Sequence, residues 1–274
     1  MQIETDTSPT LRPARRLAPA VSRASRSVAS SEEASTQPWR ASTWQWMALN
    51  VAFWLGFYVI YQAARGLADR DVTTAFWNGL HVIRIEQWTG TLFEPTIQGF
   101  VDSSQVLIKA TTYTYWLSQF VIVGATLLWV YFKHHDRFAG FRNWLIGANI
   151  VGLVCYVILP TAPPRMFPAW GFVDTLAEYS GVNHGSTVIA LTSNPYAAMP
   201  SLHSMDAFIV GVVMFGVCRA LWARVIWLLW PAWVWFSVIG TGNHYWLDVV
   251  AGFVIAIATG VVLRRARLPR LLRA

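Results

Sequence analysis

The sequence predicts an all-α protein, a polytopic bundle of six transmembrane helices with an amphipathic helix at the membrane interface and an active site on its outer face. Three observations lead there. Hydrophobic residues make up 55% of the 274 and charged ones only 13%, a composition that suits lipid rather than water as the solvent. Six stretches approach the roughly 20 apolar residues that cross about 30 Å of hydrocarbon. The few ionisable side chains near these stretches gather at their ends, where an idle charge is costly.

Taken in order, residues 1–42 are rich in Arg, Ser, Ala and Pro, lack an apolar run, and are expected to form a disordered cytoplasmic tail. No cleavable signal peptide is visible, so the first span should serve as an uncleaved anchor. Glu4, Asp6, Glu32 and Glu33 argue against an organellar transit peptide. Residues 43–265 read as one membrane domain, and 266–274 as a basic cytoplasmic tail. The spans are expected near 44–63, 113–132, 143–159, 203–219, 222–240 and 245–263. Between the first two, Phe76 to Val101 alternates Trp77, Leu80, Ile83 and Trp88 with Arg84, Glu86 and Glu94; it is too polar to span and suits a helix in the headgroup region.

Cys155 and Cys218 both fall inside predicted spans, which suits buried packing and indicates neither a disulfide framework nor a zinc site. The net charge of +7 does not imply nucleic acid. Its Arg residues cluster in tails and short loops beside membrane spans, where they set topology and meet anionic headgroups.

With six spans, the tails and the loops near 133–142 and 219–224 share a side. They carry 16 of the 21 Lys and Arg residues; Arg65, Arg70, Arg84, Lys109 and Arg165 are the remaining 5. That bias places both termini in the cytoplasm. It sends residues 160–202 and the turn near 241–244 to the other side, so Arg165, His203, His244 and Asp248 converge on the extracytoplasmic face.

Each has a chemical reading. Asp248 lies four residues after His244 on one helical face, placed to reach one ring nitrogen, fix the tautomer and leave the other nitrogen to act as a nucleophile. His203 follows Pro200 and Ser201 at a helix opening, where backbone N–H groups, including that of Leu202, and the helix dipole suit a phosphate oxyanion. A protonated His203 could serve a leaving oxygen. Arg165 stands after Pro163 and Pro164, a stiff mount for a guanidinium that binds phosphate bidentately. Taken singly, these are also a helix-start His with an ion pair, a capping segment with an incidental His, and a snorkelling Arg. Asp206, Asn243 and Tyr245 stand beside them as candidate supporting residues; Asp206 could tune His203, bind an acceptor hydroxyl, or hydrogen-bond within the bundle.

The set Pro163-Pro164-Arg165, then Pro200-Ser201-Leu202-His203-Ser204, then Gly242-Asn243-His244-Tyr245 with Asp248 beyond, resembles the type 2 phosphatidic acid phosphatase superfamily. Within it, the inositol phosphorylceramide synthase branch is most similar. The resemblance covers roughly residues 44–263. It implies a phosphohistidine mechanism in which His244 attacks phosphorus, Asp248 supports it, and His203 protonates the departing oxygen and later activates the acceptor. Arg165, the Ser201 hydroxyl and nearby N–H groups would hold the phosphoryl oxygens. No cofactor or metal is implied, and the substrate would be a membrane lipid.

The chain departs from the superfamily's broader pattern. Leu202 stands where Pro-Ser-Gly-His has Gly, Ser237-Val238 falls where Ser-Arg is usual, and no Lys occurs between Phe141 and Arg165. Fewer cations suit a phosphodiester, with one negative charge, better than a monoester with up to two. Headgroup transfer is therefore expected before monoester hydrolysis, which stays open as the alternative. A reading of another class is a transporter with a His/Asp proton relay, though a relay should spread its groups through the membrane depth.

The connection from Thr161 to Pro200 is long and lies over the proposed site, as a lid would. Asp174, Glu178, Asn183, His184 and Asn194 are its candidate headgroup contacts.

Overall fold

The computed structural model describes residues 71–179 and 195–265, with Ala52, Gly56 and Val59. The expected tails, nearly all of the predicted first span, and Asn183, His184 and Asn194 lie outside the described residues. Helix α1 (Val72–Trp88) opens on Asp71, whose carboxylate accepts the Thr74 N–H at 2.9 Å. Its end is set by Gly90 at φ +68°, a left-handed conformation that Gly adopts without a Cβ penalty. The chain then re-enters α2 (Glu94–Asp102), with Pro95 in its first turn. The single amphipathic helix expected over 76–101 is therefore two helices, because Thr89-Gly90-Thr91 reverses the chain.

Helix α3 (Gln105–Lys133) begins well before the predicted span, since Gln105 to Thr112 contains no residue that breaks a helix. It is widened by one π-helical turn, Ser118–Ile122. Helix α4 (His135–Ile158) stops at Leu159, the residue ahead of Pro160, as the pyrrolidine ring requires. A short α5 (Thr175–Tyr179) lies in the long connection, and α6 (Leu202–Val217), α7 (Leu221–Gly240, with Pro231 inside) and α8 (Trp246–Arg265) complete the described chain. Helices α3, α4, α7 and α8 are long and apolar enough to cross a membrane; α6, with 16 residues, is shorter, about 24 Å.

The outward faces of the long helices are apolar, with Phe132, Ile158, Leu228 and Val262 exposed, as a lipid-facing surface should be. Helix α6 is the central element, packed against α3, α4, α7 and α8 with Met205, Ile209 and Val210 buried. Close approach matters most at Gly252 of α8. A Cβ there would sit 2.4 Å from the Ser201 carbonyl oxygen, so any side chain would push the start of α6 off α8. Below that contact the interior holds a polar cluster: Asp206 accepts from Asn149 Nδ2 and Gln119 Nε2, each at 2.7 Å.

Candidate active site

Three segments distant in sequence meet at one end of the bundle through their backbones. The Arg165 N–H donates to the Gly242 carbonyl at 2.9 Å, the Ser201 N–H to the Asp248 carbonyl at 3.0 Å, and the Ala198 N–H to the Thr161 carbonyl at 3.1 Å. Gly242, at φ +70°, makes the closest turn, for a Cβ would fall 2.5 Å from the Val173 carbonyl oxygen. The segments that carry Arg165, His203, His244 and Asp248 thus lie together at one end of the bundle.

His244 is buried, and its Nδ1 lies 2.9 Å from the Ala198 carbonyl oxygen. A carbonyl only accepts, so Nδ1 carries the proton and Nε2 keeps its lone pair. Burial, followed by the field of Arg165, pulls the His244 pKa down to about 3, so the ring is neutral at physiological pH. The expected partner, Asp248, plays a different geometric part. Its Oδ2 stands 3.4 Å from Nδ1 but accepts the Tyr245 N–H at 2.9 Å, so it stands beside the ring while capping the start of α8. The fixed tautomer belongs to the Ala198 carbonyl, because a carboxyl in the first turn of the helix is drawn first to the helix's own free N–H groups.

The His203 ring centroid lies 5.8 Å from that of His244, and Tyr115 of α3 stacks on its other side at 4.3 Å with an interplanar angle of 19°. Ser201 caps α6: its Oγ accepts from the Ser204 N–H at 3.3 Å and the Ser204 hydroxyl at 3.0 Å, leaving its own proton to donate. Leu202 turns its side chain onto Gly152 of α4, where a Cβ would come within 2.4 Å of it. That notch lets Leu occupy a position beside the histidine without filling the site.

Arg165 donates to the Asn243 side-chain carbonyl and lies 3.8 Å from Asp174 Oδ2. Asn243 in turn donates to Thr241 Oγ1 at 2.9 Å. Asp174 thus faces the guanidinium, which presents it differently from the headgroup contact expected from sequence. Tyr245 is fully buried, its hydroxyl donating to the Ala162 carbonyl at 3.1 Å; burial raises its pKa, so it stays a neutral donor. Asp206 hydrogen-bonds within the bundle, to Asn149 and Gln119.

Sequence reasoning missed four contributors. Tyr115 and the Ala198 carbonyl carry no pattern that marks them. Glu94 and Glu86 were read as polar residues of an interfacial helix, yet both are fully buried. Glu94 Oε1 accepts the Trp246 N–H at 2.9 Å, beside the Asp248 cap, so adjacent N–H groups at the start of α8 each meet a carboxyl. Burial, and then the nearby Glu94 charge, push Glu86 up to about 9, which keeps it protonated at neutral pH. The signal available in the sequence was acidic residues on the apolar face of a helix. Among the described residues no group of His, Cys, Asp and Glu is placed to ligate a metal.

A neutral, rigidly held imidazole with a free Nε2, a second imidazole beside it, a guanidinium and a capped helix N-terminus suit attack on a phosphorus centre. Comparison with known proteins agrees, for the family model described as PAP2 superfamily matches residues 80–262. The chain belongs to the PAP2 superfamily.

Curated relatives of this PAP2 chain lie in the inositol phosphorylceramide synthase-like branch. The phosphoinositol dihydroceramide synthase of Bacteroides thetaiotaomicron is 27% identical over 165 residues, 53% of this chain and 51% of that protein. The inositol phosphorylceramide synthase of Candida albicans is 22% identical over 139 residues, covering 44% and 28%, and the catalytic subunit from Saccharomyces cerevisiae is 24% identical over 134, covering 44% and 33%. The chain therefore spans about half or less of the length of these relatives. Among solved structures, Aquifex aeolicus LpxE superposes with a TM-score of 0.47 at 15% identity, over 62% of this chain and 93% of that one.

Proposed function

We propose that this PAP2 chain is a headgroup transferase: it moves a phosphoinositol group from a phosphodiester lipid onto the hydroxyl of a ceramide-class acceptor through a phosphohistidine on His244. The observation that carries the reading is the Nδ1–H bond of His244 to Ala198, which leaves Nε2 as a fixed, neutral nucleophile. Nε2 attacks phosphorus, the P–O bond to the donor's diacylglycerol breaks, and His203 gives a proton to the departing oxygen. His203, now unprotonated, takes the acceptor's hydroxyl proton as that oxygen attacks phosphorus and releases His244. Asp248 faces the imidazolium-like ring while it bears the phosphoryl group. Arg165, the Ser201 hydroxyl and the N–H groups opening α6 hold the phosphoryl oxygens, with no metal or cofactor in any step.

Transfer is favoured over monoester hydrolysis because the cation whose field reaches His244 is Arg165, already facing Asp174. One guanidinium so balanced matches a single negative charge better than two. We read the topology as six spans, with α3, α4, α6, α7 and α8 as the second to sixth, both termini cytoplasmic and the site extracytoplasmic.

Product analysis tests the proposal. Purified protein given labelled phosphatidylinositol should form inositol phosphorylceramide and diacylglycerol when ceramide is present, and far less product without it. Rapid release of inorganic phosphate from a lipid monophosphate, with diester lipids untouched, would replace the reading by that of a phosphatase.

A further inference from the structure

Helices α3 and α7 are pinned together near the site, where Trp233 Nε1 donates to Thr114 Oγ1 at 2.8 Å. Beyond the π-helical turn of α3 they part, leaving a groove of about 720 Å³ between them. Trp129, Trp222 and Trp227 stand on its walls, Met214 and Val217 of α6 on its floor, and Cys218 just past the end of α6. None of the groups assigned to phosphoryl transfer lines it. Its near end, at Ile122, is nevertheless one helical turn from Gln119, which donates to Asp206, itself one turn from His203.

This polar station is unfinished. Gln119 Oε1 is buried and has no hydrogen-bond partner. A carbonyl oxygen without a donor in an apolar interior is destabilising, so the position favours a ligand that brings one. Asp206 is bound by two amides and retains unused lone pairs, so it too welcomes donors. The π-helical turn that carries Gln119 is a local geometry often found at functional positions.

We propose that the groove holds the hydrocarbon tail of the acceptor lipid, with Gln119 and Asp206 as the hydrogen-bonding station for its amide and hydroxyl groups. The inference rests on the transfer reading and assigns its second substrate a place. Hydrogen bonding selects the occupant. The anionic donor is drawn to Arg165, whereas a buried acid and an amide oxygen with acceptor lone pairs to offer suit a neutral lipid rich in N–H and O–H donors, as a ceramide is. On α6 the groove is floored by Met214 and Val217, so a chain that enters it from the polar station runs about 12 Å along the helix from Asp206 to Met214, with its polar end one turn from His203.

Two measurements test it. In wild-type protein, Cys218 in the groove lining is alkylated by a small maleimide and followed by mass spectrometry, with Cys155 of α4 as the internal reference. Long-chain ceramide should slow Cys218 alkylation at least fivefold, and short-chain ceramide or phosphatidylinositol should not. In Ala223→Trp, which fills the groove wall, the ratio of kcat/KM for long-chain over short-chain ceramide should fall at least tenfold. Unchanged Cys218 alkylation under saturating long-chain ceramide, protection by the phospholipid instead, or an unchanged ratio in the variant would overturn the assignment. Protection in a protein that transfers nothing to ceramide would retain the groove as a neutral-lipid site and overturn the transfer reading.

Discussion

Asp248→Asn separates the charge of this residue from its hydrogen bond. Asn can still accept the Tyr245 N–H, so the start of α8 should keep its cap, while the carboxyl 3.4 Å from His244 Nδ1 loses its capacity to carry a negative charge. The resting ring is neutral, so that charge matters when phosphorus bonds to Nε2 and the imidazole becomes cationic. Two unit charges at this separation attract by about 5 kcal/mol at an effective dielectric of 20, before the ring's charge is spread and the phosphoryl group offsets it. Allowing for that, kcat should drop by roughly 10³-fold, with KM changed only a few-fold, since the loss falls on the transition state and not on binding. Steady-state transfer kinetics in detergent, paired with a thermal melt, reads both quantities. An Asp248→Asn protein that keeps more than a tenth of wild-type kcat would refute the electrostatic role; one whose melting falls along with its activity would show that Asp248 acts as a cap alone.

Other consequences follow from the same geometry. His203→Ala should lose far more activity on a natural lipid donor than on a 4-nitrophenyl phosphodiester, whose leaving group needs no proton; equal losses would remove His203 from acid catalysis. Arg165→Lys keeps a cation but not the planar fork and should lower kcat/KM by about 100-fold, measured at matched protein stability. Gly242→Ala combines φ +70° with a carbonyl 2.5 Å from the new Cβ, so its melting temperature should fall clearly, by the equivalent of about 2 kcal/mol or more. Glu86 holds its proton to about pH 9 when folded, against an ordinary value of 4.5. The folded state therefore binds the extra proton between those values, and the stability it contributes is present below about pH 4.5 and lost as pH rises through about 9. Melting temperature should decline over that window in the wild type and decline less in Glu86→Gln.

The readability of this chain was uneven, for physical reasons. The bundle was legible because lipid demands long apolar helices, and α3, α4, α7 and α8 appear near where the apolar runs place them. Their ends were less so: Gln105 to Thr112 and His135 to Arg142 are helical despite polar residues, since nothing in them breaks a helix. The site's charged members were legible because ionisable groups beside spans are costly and few. What was hidden is backbone and context. The acceptor that fixes His244 is a carbonyl, and every residue has one, so no sequence pattern singles out Ala198. Glu94 and Glu86 looked like the wet side of an amphipathic segment until Gly90 folded the chain and turned them inward. Gln119 and Asn149 were the detectable omission, as amides inside predicted spans need a partner, and Asp206 was the partner available.

The most direct test of the account is chemical capture of the covalent intermediate. Protein exposed briefly to phosphorus-labelled phosphatidylinositol and quenched in alkali should carry acid-labile, base-stable label on the peptide containing His244, and His244→Ala should carry none. Repeated absence of label in the wild type, or undiminished transfer by His244→Ala, would contradict it.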